Sequence, residues 1–144
     1  MPLPLKSTLM LSTSRDKDVR GSILSIVDEK VSNVSIIECE PRTIRSNHYH
    51  LEDFHFMYVL SGQIDYFYRN ITTKKVEYIE VLEGQTIFTP KKELHATYFP
   101  VRTTLIVSSK NPRDQATYER DTVRETLITL DNIKSLKQSA DHGR

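Results

Sequence analysis

His48, His50, His55 and His95 are the residues of this sequence whose type and spacing point to chemistry. Imidazole is both a metal donor and a proton carrier near neutral pH. The chain has five histidines, and the fifth, His142, lies in a polar tail. His48 and His50 are two apart, so a strand would aim both rings at one place. Glu52-Asp53 suits a turn, after which His55 would begin the neighbouring antiparallel strand and present a third imidazole to the same spot. His95 stands alone in sequence.

Four neutral nitrogen donors suit Zn, Ni, Fe or Cu far better than Mg or Ca, which prefer oxygen, and Mn usually takes more carboxylate. A metal held only by imidazoles keeps its double positive charge and is a stronger Lewis acid for it. The expectation is one divalent transition metal, with Zn, Ni or Fe foremost, on His48, His50, His55 and His95. A lone histidine is ordinarily structural, so the case rests on the joint spacing of the four.

The elements that would position these rings are short strands. Residues 23–27 and 34–39 are apolar and β-branched, and 54–60 is aromatic and apolar, ending at Ser61-Gly62. Residues 63–69 alternate, with Ile64, Tyr66 and Tyr68 on one face and Phe67 interrupting the polar one. A polar turn at 70–75 leads to a strand at 76–81, Glu83-Gly84 turns into 86–89, and 96–99 and 103–108 are the last clear strands. Residues 111–118 read as irregular or a helical turn, and 126–137 as a weak helix. Many short strands in one domain mean an all-β sandwich or barrel. The expected division is an N-terminal arm over 1–20, a barrel over 21–125 and a C-terminal helix or tail over 126–144.

The chain's 144 residues suit one domain, and no linker divides them. A net charge of +1 gives no electrostatic case for nucleic acid or an anionic membrane as partner. No apolar run approaches the ~20 residues of a membrane span, and the first residues lack the apolar core of a signal peptide. Cys39, the single cysteine, excludes an intrachain disulfide and reads as a buried packing residue; a cytoplasmic location is expected.

The spacing resembles the cupin superfamily. Its first motif is a histidine pair separated by one residue, then a glutamate and a glycine; here His48-Tyr49-His50 is followed by His55 and Gly62. Its second is a glycine, a proline and a histidine five positions after the proline; here Gly84, Pro90 and His95. His55 stands where the glutamate ligand usually sits, as in some all-histidine metal cupins. Lys92 and Phe99 replace a glycine and an asparagine of the second motif. The resemblance implies a double-stranded β-helix (jelly-roll) barrel with its metal inside and, commonly, a homodimer. Asp18–Gly21, Arg45-Ser46-Asn47 and Tyr118–Arg124 are similar to segments of cupins that act on nucleotide-linked sugars, including dTDP-sugar 3,4-ketoisomerases and 3,5-epimerases of polysaccharide gene clusters.

That narrower likeness implies an isomerase or epimerase of a nucleotide-linked keto-sugar. Such a reaction removes a proton beside a carbonyl and returns it elsewhere, so it needs a base and a stabilised oxyanion. In the ketoisomerases the histidine pair does this work, which would fall here to His48 and His50. If all four histidines hold metal, Tyr58, Tyr98 and Glu93 are the remaining candidates. Tyr58 and Tyr98 are out of phase with the histidines of their strands, however, and Glu93, beside Lys91 and Lys92, reads as an exposed loop charge. Arg45 and Arg42 are the expected diphosphate contacts, because guanidinium offers forked, cationic donors. Two other classes stay open: a histidine-ligated Fe(II) dioxygenase of a small molecule, and a non-catalytic sugar-binding cupin whose tyrosines, Tyr58, Tyr66 and Tyr68, stack on sugar or form a dimer interface.

Overall fold

The computed structural model describes residues 2–10 and 15–142. The expected arm and tail therefore lie partly outside the described residues, at 1, 11–14 and 143–144, as does the side chain of His142.

The strands form two facing antiparallel sheets, as the alternating pattern requires. The first has the order β1-β9-β6-β11-β4, made of Thr8–Met10 (β1), Asn33–Cys39 (β4), His55–Ser61 (β6), Thr86–Thr89 (β9) and Thr103–Ser109 (β11). The second has the order β12-β5-β10-β7-β8-β13, made of Thr43–His50 (β5), Gln63–Asn70 (β7), Val76–Leu82 (β8), Glu93–Phe99 (β10), Thr122–Arg124 (β12) and Asp141–His142 (β13), the last pairing in parallel. Among the described residues Arg15–Asp18 (β2) and Gly21–Leu24 (β3) pair only with each other, so the strand expected over 23–27 ends early, in a hairpin. The all-β jelly-roll reading of the sequence is the fold observed.

Between the sheets lies the main core. Ile64, Tyr66, Tyr68, Ile79, Val81, Ile87, Phe99 and Leu105 are all fully or almost fully buried, and Cys39 packs among them. Tyr66 and Tyr68 are thus core residues, 0% and 1% exposed, and not available to stack on a sugar. Phe67 faces the other way, into a second cluster with Leu94, Ala96, Leu127, Ile128 and Ile133. The C-terminal segment covers that outer face, which is why a phenylalanine interrupts the polar alternation of β7.

Two elements differ from the sequence reading and one extends it. β5 and β6 belong to opposite sheets, so His55 does not begin a strand paired with the His48 strand; it faces that strand across the barrel. Residues 111–118 contribute to a helix, α1 (Gln115–Asp121), capped by the Asp114 carboxylate on the Thr117 amide at 2.9 Å. The expected helix over 126–137 shrinks to α2 (Ile133–Ser139). The Asn47 carboxamide oxygen accepts the N–H groups of Leu127 and Ile128, at 2.8 and 3.0 Å, and holds this stretch extended.

The turn between β6 and β7 requires a glycine. Gly62, between β6 and β7, has φ +98°, and a Cβ there would lie 2.6 Å from the Arg102 carbonyl oxygen. Only glycine fits both the angle and the space.

Candidate active site

Strand β5 carries the site, and its register is interrupted. His95 pairs with His48 and Ala96 with Ser46, leaving Asn47 unpaired as a bulge. Ser46 and Asn47 adopt φ values of 75° and 56°, the left-handed region that asparagine tolerates better than most residues. Strict alternation would send residues 45 and 48 to opposite faces. The extra residue reverses the parity, so Arg45, His48 and His50 all line one cavity of about 140 Å³. His55 from the facing sheet, Arg113 and Tyr118 also line it.

The four motif histidines converge. Ring centroids are 4.6 Å apart for His48 and His50, 4.8 Å for His48 and His95, 5.3 Å for His55 and His95, and 5.9 Å for His50 with each of His55 and His95. His48, His50 and His95 each offer a ring nitrogen within 4.8 Å of the other two and could hold a metal ion. His55 borders this trio without belonging to it. His95 is wholly buried behind the cavity wall, stacked against Tyr66 at 6.2 Å.

Their electrostatics favour neutral rings. Burial, helped by His50 and Arg124, pushes His48 down to about 3. Burial likewise holds His50 low, against the opposing pull of Asp121, and takes His55 and His95 well below the usual histidine range. The His95 Nδ1 lies 3.1 Å from the Glu93 carbonyl, so it carries the proton, and Nε2 keeps its lone pair with no hydrogen-bond partner among the described residues. His55 Nδ1 is also buried with no hydrogen-bond partner among the described residues. Unpartnered neutral imidazole nitrogens are the donor chemistry of a transition-metal site, and the carbonyl behind His95 is the usual outer support.

The other expected site residues are placed as follows. Tyr58 alternates with His55 and points to the outer face of β6, opposite Ile106, away from the cavity. Glu93 is not an exposed loop charge: it is 4% exposed, and its carboxylate accepts hydrogen bonds from the Ser7 amide and hydroxyl. Burial raises its pKa. Arg45 is exposed at the cavity rim, its guanidinium 3.4 Å from the Glu38 carbonyl. Arg42 sits in the turn before β5 with φ 61° and does not line the cavity.

Several functional candidates escaped the sequence reading. The Tyr118 hydroxyl lies 3.4 Å from His48 Nδ1, and its ring stands over both His48 and His50 at 6.1 and 5.9 Å. Asp121 and Thr122 back His50, and Arg113 lines the mouth. Tyr118, Asp121 and Thr122 fall within the late segment 118–124, which the sugar-cupin likeness had singled out without giving any of them a role.

No family model matches the chain, and no curated protein matches it by sequence. Solved structures match it by fold. QdtA, a sugar 3,4-ketoisomerase from Thermoanaerobacterium thermosaccharolyticum solved with TDP, superposes with a TM-score of 0.69 at 15% identity, over 92% of this chain and 98% of that one. The TDP-quinovose 3,4-ketoisomerase WlaRB of Campylobacter jejuni gives 0.66 at 20% identity, over 78% and 91%. The capsular polysaccharide assembling protein CapF of Staphylococcus aureus gives 0.62 at 17%, over 83% of this chain but 33% of its own length. The chain shares the fold of these proteins.

Proposed function

We propose that the chain is an isomerase that moves the carbonyl of a nucleotide-linked keto-sugar to the adjacent carbon. The observation that carries this reading is the buried, neutral His48–His50 pair on the wall of a cavity rimmed by Arg45 and Arg113. The fold shared with 3,4-ketoisomerases supports it. The cavity is smaller than the ~300 Å³ at which pockets for drug-sized ligands begin. It suits the reacting part of a sugar, with the diphosphate left at the rim where the two guanidinium groups offer forked donors.

In this reading one imidazole takes the proton from the carbon beside the carbonyl. The C–H electron pair becomes the carbon–carbon double bond of an enediol, while the carbonyl oxygen gains a proton from the other imidazole. Return of a proton to the former carbonyl carbon, with loss of the neighbouring hydroxyl proton, leaves the carbonyl one carbon along. Low basicity helps here: rings that stay neutral at pH 7 are available as bases, at the cost of driving force.

Should a Zn, Ni or Fe ion be bound, His48, His50 and His95 would hold it with His55 alongside. It would supply electrophilic stabilisation of the developing oxyanion. An imidazole that gives its lone pair to a metal has none for a proton, so the histidine shuttle belongs to the metal-free protein.

The test is incubation of chelator-treated protein with TDP-4-keto-6-deoxyglucose in D2O, followed by proton NMR. The expected result is loss of the C3 proton, deuterium at C4 and a 3-keto product, all abolished in His50→Ala. Chelated protein that leaves the C3 proton unexchanged would overturn the reading.

A further inference from the structure

The two histidines of the pair are not equivalent, and the difference lies behind His50. Its Nδ1 faces two groups from the α1–β12 junction: Thr122 Oγ1 at 3.3 Å and Asp121 Oδ2 at 3.5 Å. The Thr122 hydroxyl donates its hydrogen to the Tyr118 carbonyl at 2.6 Å, so it can only accept from the ring. The Asp121 carboxylate is an acceptor too. Among the described residues Nδ1 meets two acceptors and no donor, which favours the proton on that nitrogen. Nε2 is then the lone-pair nitrogen, on the ring edge turned away from Asp121.

Asp121 is itself fixed. It is 8% exposed, and its two oxygens accept the Glu52 and Asp53 amides at 2.8 and 3.0 Å. Strand β12 pairs Thr122 opposite His50 in the ladder, which sets the height of both groups. Among the described residues no carboxylate backs His48 in this way. Its Nδ1 meets the Tyr118 hydroxyl, which can donate or accept, so either tautomer is satisfied.

We propose that Asp121 and Thr122 are positioning residues that hold His50 as its Nδ1–H tautomer, making His50 the base of the pair and leaving His48, with Tyr118, as the partner that can exchange its proton. The assignment of catalytic roles rests on the isomerase reading above; the tautomer itself does not. The logic parallels a buried carboxylate that holds a catalytic imidazole in one tautomer, where amide replacement gives the wrong one.

The experiment is a long-range 15N–1H spectrum of the labelled, chelator-treated full chain at neutral pH, with the His50 signals identified by their loss in His50→Gln. Protonated Nδ1 and unprotonated Nε2 are expected in the wild type. In Asp121→Asn the carboxamide can turn its NH2 to the ring, and His50 is expected to shift to Nε2–H. With TDP-4-keto-6-deoxyglucose as probe, kcat is expected to fall on the order of 100-fold, the scale of a lost general base, and KM to stay within about two-fold; a merely structural defect would not move the tautomer or split the two constants. A wild-type His50 protonated at Nε2 would overturn the proposal, as would a folded Asp121→Asn protein that keeps Nδ1–H and its full kcat. The wild-type spectrum needs no variant, so a variant that fails to fold leaves that arm decisive. A Nδ1–H wild type with no turnover of the probe would uphold the positioning and overturn the isomerase reading instead.

Discussion

Arg45 and His48 are three residues apart on one strand and nevertheless line the same cavity, because Asn47 between them has no partner on β10. Asn47 also accepts from Leu127 and Ile128 and donates to the Ile128 carbonyl at 3.0 Å. One side chain thus maintains both the parity of the site and the course of the C-terminal segment. Asn47→Ala is expected to lower unfolding stability by about 2–4 kcal/mol, since buried amides lose their acceptor and a Cβ residue without a polar side chain must keep a left-handed φ. Asn47→Gly should recover part of this loss by relieving the backbone alone. Urea denaturation of the three proteins checks it; equal stability of all three would refute the account.

Metal binding is expected to depend on the trio whose nitrogens approach one another. His50→Ala and His95→Ala should each reduce Zn or Ni retained after loading and desalting to a small fraction of the wild-type content. Tyr58→Phe, on the outer face, should leave it unchanged. Elemental analysis of protein purified without a nickel column gives the readout. Full retention in His95→Ala would remove His95 from the site.

Acid should destabilise the chelated protein. The imidazoles of His48, His50, His55 and His95 titrate below the unfolded value of about 6.5, with His48 near 3. Between those values the unfolded chain binds protons that the folded one refuses. The histidine contribution is therefore complete above pH 6.5 and is lost as pH falls from there toward 3. Glu93 and Asp53, whose pKa values burial raises, act in the opposite sense. Comparing the wild type with His55→Leu isolates the imidazole part: Tm should fall less steeply from pH 7 to pH 5 in the variant. An identical slope would contradict the burial of a neutral ring at position 55.

How much of this was legible in the sequence depends on distance along the chain. The histidine pair was readable because strand parity is a local property, and His95 because a glycine and a proline, Gly84 and Pro90, precede it at the spacing of the second cupin motif. The facing-sheet placement of His55 was not, since a tight turn and a crossover between sheets share the same polar residues. Glu93 was misread because its partner, Ser7, lies 86 residues away. Asp121 and Thr122 carry no signature of their own; only the pairing of β12 with β5 brings them to His50. The helix expected over 126–137 lost its first half to Asn47, a side chain about 80 residues upstream whose hydrogen bonds no propensity scale contains.

The outer face of the five-stranded sheet has an apolar row in register, Ile36 beside Ile106 beside Tyr58, and Val34 and Ile36 are 62% and 70% exposed. Contiguous apolar surface of this kind marks an association face. A dimer is the expected state in light scattering coupled to size exclusion, and Ile36→Lys should convert it to monomer. A monomeric wild type at tens of micromolar would exclude it.

The buried bonds between Ser7, Glu93, Tyr66 and Thr89 have a practical consequence for handling the protein. Ser7, just before β1, bonds to Glu93 and to Tyr66, the ring stacked on His95, so shortening the amino end is not a harmless edit. Cutting through Ser7 would take two donors from the buried Glu93 carboxylate, leave the Tyr66 phenol with Thr89 as its partner, and loosen the packing that keeps the imidazoles dry and uncharged.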